Sequence, residues 1–246
     1  MRRALLLLLL MFCSAPGARA AEPLVADLTS HFVAITTGFT GADVVLFGAI
    51  DGPGDVIAVV RGPNHDAVVR HKSRVAGIWM NTREVTFTGV PSYYAVYSTR
   101  PLDEIMPPAV RSLHDIGLAN LRLGAAEKDR SPQEIAEFRA ALLRERRDEG
   151  LYVEAPGGFK FLSNELFHLA LAFPGNVPTG NYTVQIFLVR DKRVVSGQTS
   201  PLYISQAGID ADVNDFAQRS ALLYGVMAAL GAALAGWLSS LPFRNA

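Results

Sequence analysis

Arg70, Lys72 and Arg74 alternate along a run rich in β-formers. Alternate residues of a strand share one face, so the three cations form a row. Such a row could hold a small anion or meet anionic headgroups through charge-assisted hydrogen bonds. Arg61, Arg83, His65 and His71 add to it, against Asp66 alone. The plainer reading, a solvated sheet face whose charges resist edge-to-edge pairing, is preferred. His114, Asp115, Glu134 and Glu137 have side chains suited to acid/base or metal chemistry, but no H-E-x-x-H or related spacing organises them.

The remaining chemical candidates fail on spacing. Asp51-Gly52-Pro53-Gly54-Asp55 lacks the glycine pattern of a phosphate loop and the acidic ligands of a calcium loop, and reads as a hairpin turn. Asp210-Ala211-Asp212-Val213-Asn214 opens like an EF-hand loop. Asp215 then stands where glycine is required, and Ala221 where the bidentate glutamate belongs. No G-x-S-x-G nucleophile motif occurs. His31 and His168 sit in apolar strands and are expected to be partly buried structural histidines. The reading is therefore no catalytic residues, no metal, no cofactor and no enzyme. Zero net charge argues against a nucleic-acid binder, which would need a basic stripe.

The elements that must carry these residues are mostly strands. Short runs dense in Val, Ile, Thr, Phe and Tyr are predicted at 32–37, 44–50, 56–61, 67–71, 77–80, 84–88 and 93–99. A second set falls at 151–154, 159–162, 167–173, 182–189, 193–196 and 202–205, with a tight turn at Arg190–Arg193. Between the sets the period becomes helical. Pro107-Pro108 opens one predicted helix through Val110, Leu113, Ile116, Leu118 and Leu121. Ser131-Pro132-Gln133-Glu134 opens a second with a capping box, Ile135, Phe138 and Leu142 on one face, and Gly150 to end it. Pro178 to Val184 resembles the entry to a late strand of an immunoglobulin-like sandwich, with Tyr182 placed to bond back to the upstream backbone. The fold class expected is mainly β: one or two immunoglobulin-like β-sandwiches with a helical hairpin insertion and one C-terminal transmembrane helix.

The two ends set the address. Met1-Arg2-Arg3, the apolar run Ala4–Phe12 and Ala18-Arg19-Ala20 have the layout of a secretory signal peptide. Cleavage removes the sole cysteine, Cys13, and leaves the remainder slightly acidic. Ser220–Leu241 is 22 residues without a charge, about 33 Å as a helix, against a bilayer core of about 30 Å. Tyr224 and Trp237 lie near its two ends, where aromatic rings favour the interfaces. The expected organisation is a signal peptide at 1–20, a periplasmic β-rich domain at 21–207 with a helical insertion at 102–149, a linker at 208–219, a single membrane span at 220–241 and a cytoplasmic tail at 242–246. Within the span Ala221, Gly225 and Ala229 recur every four residues, with Ala232 and Gly236 in a neighbouring row. Small residues at this spacing let another helix approach closely.

Phe39-Thr40-Gly41-Ala42-Asp43, Leu46-Phe47-Gly48-Ala49, Arg61-Gly62-Pro63, Arg74 to Asn81, Pro91-Ser92-Tyr93-Tyr94-Ala95, Pro178 to Val184 and Leu222-Leu223-Tyr224-Gly225 carry a likeness over most of the chain. On these stretches the sequence resembles a family of alphaproteobacterial transmembrane proteins of uncharacterised function. The resemblance implies an accessory role in the periplasm of a bacterial inner membrane, beside an anion permease of the sulfite-exporter type, with no assigned catalytic residues. A small-anion-binding module is the alternative expectation.

Overall fold

The computed structural model describes residues 22–75, 77–126, 130–208, 217 and 219–240. The expected signal peptide, the cytoplasmic tail and most of the linker, including Asp210–Asp215, lie outside the described residues. Thirteen strands are described: β1 (Leu24–Leu28), β2 (Phe32–Ile35), β3 (Gly41–Ile50), β4 (Asp55–Arg61), β5 (Asn64–Val75), β6 (Ile78–Pro91), β7 (Tyr94–Ser98), β8 (Gly124–Ala125), β9 (Tyr152–Pro156), β10 (Lys160–Phe161), β11 (Leu166–Pro174), β12 (Gly180–Arg190) and β13 (Arg193–Gln206). The helices are α1 (Leu102–Ile105), α2 (Pro108–Leu113), α3 (Pro132–Asp148) and α4 (Ala221–Ser240), with a 3-10 turn at Leu118–Asn120.

The protein is mainly β, in three sheets among the described residues. One has the order β1-β3-β11-β10, the second β2-β13-β12-β4-β7-β9, and the third is the β5-β6 hairpin with β8. Neighbours are antiparallel except β2 with β13 and β7 with β9. In β1 and β11 of the four-stranded sheet burial alternates. Leu24, Ala26 and Leu28 of β1 point inward, as do Phe167, Leu169, Leu171 and Phe173 of β11. The rings of Phe173 and Tyr182, 5.9 Å apart, join its inner face to the six-stranded sheet. In β4 and β7 the alternation disappears, since residues 56–60 and 94–98 are all buried. These strands are covered on both faces, by the other sheet and by the segment that supplies Leu102, Ile105, Met106, Ile116 and Leu118. Asp55 at the start of β4 accepts hydrogen bonds from Thr99 and Arg100 just past the end of β7. The Arg100 guanidinium holds its carboxyl below the usual carboxylate range.

Several expectations need correction. The runs 67–71, 77–80 and 84–88 belong to two long strands, and 193–196 and 202–205 are one. Polar residues between the apolar ones remain in strand because a neighbour continues the ladder. Leu24–Leu28 is a strand the sequence reading passed over. Asp51–Asp55 is a crossover between sheets rather than a hairpin turn. Arg190 clamps it, donating to the Asp51 carbonyl and carboxylate at 2.8 and 2.7 Å and to the Pro53 carbonyl at 2.8 Å. The turn at Arg190–Arg193 is a two-residue hairpin with Asp191 and Lys192 both at positive φ, as a type I′ turn requires.

The helical hairpin is only half present. Its first helix stops at Leu113 because Asp115 (φ 53) and Gly117 (φ 95) turn the chain; Ile116, Leu118 and Leu121 reach the core from the 3-10 turn and the residues flanking it. The second forms as expected. The Ser131 hydroxyl accepts from the Glu134 amide at 3.2 Å, Pro132 takes the first position, and Phe138 and Leu142 are buried. The Glu134 carboxylate does not complete the box; it turns to Arg130 at 3.0 Å and Arg83 at 3.5 Å.

α4 carries no charged residue, and its described side chains are exposed throughout. They form an unbroken run only from 221 to 234, and among the described residues no helix is long and apolar enough to cross a membrane.

Candidate functional site

The most distinctive feature is the β5-β6 hairpin. Its strands have 12 and 14 residues, about 40 Å of extended chain. It grows from one end of the two larger sheets. A Cβ on Gly180, where φ is +143, would lie 2.7 Å from Pro63 Cγ, so the start of β12 presses against the residue preceding β5. Gly180 pairs with Ile204, near the end of β13, so the chain leaves the six-stranded sheet at the end where the hairpin is rooted.

The hairpin has two halves. In the root, Ala67, Val69, Val85 and Phe87 are buried and α3 lies alongside. There Arg146 Nη2 is 3.1 Å from His65 Nε2. Burial, with Arg146 adding to it, holds the His65 pKa below its ordinary value. The Arg83 guanidinium stands 5.9 Å from the centre of the Phe138 ring. Beyond His71 the cover ends.

Arg70, Lys72 and Arg74 occupy alternate positions of β5, opposite Glu84, Asn81 and Trp79 of β6. Their surroundings differ. Arg70 Nε bonds Glu84 Oε2 at 3.1 Å, and Arg74 Nε donates to the Gly77 carbonyl at 3.1 Å. Arg70 and Lys72 also line a cleft of about 190 Å³ between hairpin and helix, with Arg83, Arg144 and Glu137. Arg74 is outside it. Arg83 was counted with the row from sequence; Arg144 was not, since nothing local indicates that α3 folds over β5. The exposed group Val75, Ile78, Trp79 and Met80 was also missed. Its signal was available: apolar residues on both sides of a glycine, as at a hairpin end.

The acid/base candidates are not brought together. His114 packs on Phe187, ring centres 5.5 Å apart, and Asp115 Oδ1 lies 2.7 Å from Arg122. The backbone carbonyls of His114 and Asp115 accept from Arg61 at 3.1 and 2.9 Å. The Asp115 carbonyl also accepts from the Tyr94 hydroxyl at 2.9 Å, whose pKa burial pushes up to about 12. These groups fasten the segment to the sheet. Among the described residues no cluster of three or more His, Asp, Glu or Cys is placed to hold a metal ion. His31, expected to be partly buried, is exposed, with Nε2 3.0 Å from Asp27 Oδ1; its strand begins only at Phe32. His168 is half-buried on β11. In α4, Ala221, Gly225, Ala229 and Ala232 are exposed, and a Cβ on Gly225 or Gly236 would meet nothing within 4 Å.

No curated protein matches the chain. Among solved structures, a chain from "Structural basis of T cell specificity and activation by the bacterial superantigen toxic shock syndrome toxin-1" aligns over 75% of this chain and 99% of its own. Its identity is 7% and its TM-score 0.28. The stretches singled out in the sequence, from Phe39 to Gly225, fall within one family profile covering residues 23–245: the chain belongs to the family described as "Putative transmembrane protein (Alph_Pro_TM)".

Proposed function

We propose that this chain is a membrane-anchored accessory protein: an exported β head tethered to the outer face of a bacterial inner membrane by the 220–241 stretch, its C-terminus in the cytoplasm. The observation that carries this reading is α4. Leu222, Met227, Leu230 and Leu234 are all more than half exposed on a helix with no polar face. A helix apolar all round is stable only when buried in protein or lipid, and these four side chains stay exposed beside the head. The family description is in keeping with a lipid location. The order β1-β3-β11-β10 facing β13-β12-β4 supports an immunoglobulin-like reading of the head. So does Tyr182, which donates to the Pro178 carbonyl at 2.6 Å as a tyrosine corner does. Such a head presents surfaces rather than chemistry. The partner class expected is an integral membrane protein, an anion permease, meeting the small-residue side of α4 (Ala221, Gly225, Ala229). Alkaline extraction of membranes tests the anchor: the chain stays in the pellet if it spans. Crosslinking in native membranes with and without Gly225→Leu tests the partner, and an unchanged crosslink pattern removes α4 from the contact.

A second reading, capture of a small anion, is favoured by the cleft in which Arg70, Lys72, Arg83 and Arg144 face one carboxylate, Glu137. Titration of the full chain in detergent with sulfite, sulfate and thiosulfate should then give heat that Arg144→Gln abolishes.

A further inference from the structure

We propose that the tip of the β5-β6 hairpin docks into the surface of an anionic bilayer, the same one that α4 is proposed to cross; the inference therefore rests on the anchor reading. Ile78 and Trp79 are 68% and 69% exposed, with Val75 and Met80 about half exposed beside them. Ile78 and Met80 lie on one face of β6 and Trp79 on the other, so the tip is apolar on both sides and no single face of the head could cover it. An apolar end of this kind suits insertion among acyl chains, with the indole at the headgroup level.

Charge selects the surface. Residues 70–83 hold Arg70, Lys72, Arg74 and Arg83 and no acidic residue. Lys72 and Arg74 make no ion pair among the described residues. This basic collar lies directly behind the apolar tip, where lipid phosphates would stand once the tip is immersed. Reach is consistent as well. The hairpin is rooted at the end of the six-stranded sheet where the chain leaves it. From Ala67 in the root to Val75 at the tip the strand runs about 27 Å. The ten residues 207–216 can extend at most about 35 Å. The tether is long enough to let the tip meet the bilayer without lifting the anchor.

Trp79 and Trp237 are the only tryptophans, which gives a direct test. The full chain carrying Trp237→Phe is reconstituted into vesicles of phosphatidylcholine alone or mixed with phosphatidylglycerol, with bromine on the acyl chains. The expected result is blue-shifted Trp79 emission, quenched several-fold in the anionic vesicles and much less in the neutral ones. Lys72→Gln with Arg70→Gln, or high salt, should reverse both effects. Emission that stays red, unquenched and open to iodide in both lipids overturns the proposal. So does equal quenching in both, which would remove the role of charge. Trp79 shielded from iodide yet unquenched would place it against protein and overturns it too. Alkaline washing separates the two readings: a chain lost from the vesicles refutes the anchor, whereas a retained chain with a water-exposed Trp79 refutes only the docking of the tip.

Discussion

The root and the tip of the β5-β6 hairpin are built from the same two strands and have opposite fates. In the root, Ala67, Val69, Val85 and Phe87 are buried, in one core with Phe138 and Leu142 of α3. In the tip, Val75, Ile78, Trp79 and Met80 are as apolar and stay uncovered. Strand formation therefore does not depend on burial here. The ladder is continuous from Asn64–Pro91 to Val75–Ile78, with register shifts near His65 and at Lys72. Backbone pairing carries the hairpin outward, and packing holds only its base.

This contrast can be broken most strongly in the root. Phe87→Ala removes a fully buried ring and should cost about 3–5 kcal/mol of unfolding free energy, read from denaturant titration of the detergent-solubilised chain. Trp79→Ala, a larger deletion in side-chain volume, should shift the same curve by less than about 0.5 kcal/mol. Equal losses would mean that the tip is packed. Tyr182→Phe comes next. It leaves the Pro178 carbonyl without its 2.6 Å partner beside the hairpin's root and should cost about 1–2 kcal/mol. Ser131→Ala removes the N-cap of α3 and should cost about 1 kcal/mol. Hydrogen exchange should then quicken in the root amides and remain unchanged in the tip; a uniform response would show that α3 does not divide the hairpin.

The smallest effect concerns pH. The His65 pKa lies below its ordinary 6.5 because burial, and then Arg146, disfavour the imidazolium, with Asp66 opposing. Between that lowered value and 6.5 the unfolded chain binds more protons than the folded one. The contribution of His65 is therefore complete above pH 6.5 and falls away as pH drops through that window. Stability measured at about pH 7.5 and 5.5 should differ less in His65→Gln than in the parent chain. An identical difference in both would detach His65 from the root.

Much of the framework was legible in the sequence. Dense β-formers between turn residues gave most strands, Ser131-Pro132 gave the start of α3 to the residue, and Tyr182 was placed as a corner tyrosine before its bond to Pro178 was visible. The misses share a cause. Polar stretches such as Asn81-Thr82-Arg83 carry no periodic signal, so one long strand read as two short ones. Ile116, Leu118 and Leu121 kept a helical spacing, although Asp115 at positive φ breaks the helix. The cation row was legible as a row, but Arg144, the arginine that α3 contributes, was not, because the contact spans more than 60 residues of chain.

Local chemistry alone determined which segments form most of the strands, where α3 begins, and that the last helix has no polar face; each depends on residues within a few positions of one another. Only the tertiary structure decided which apolar residues those strands could hide. Burial requires a second surface, and α3 stops short of Trp79.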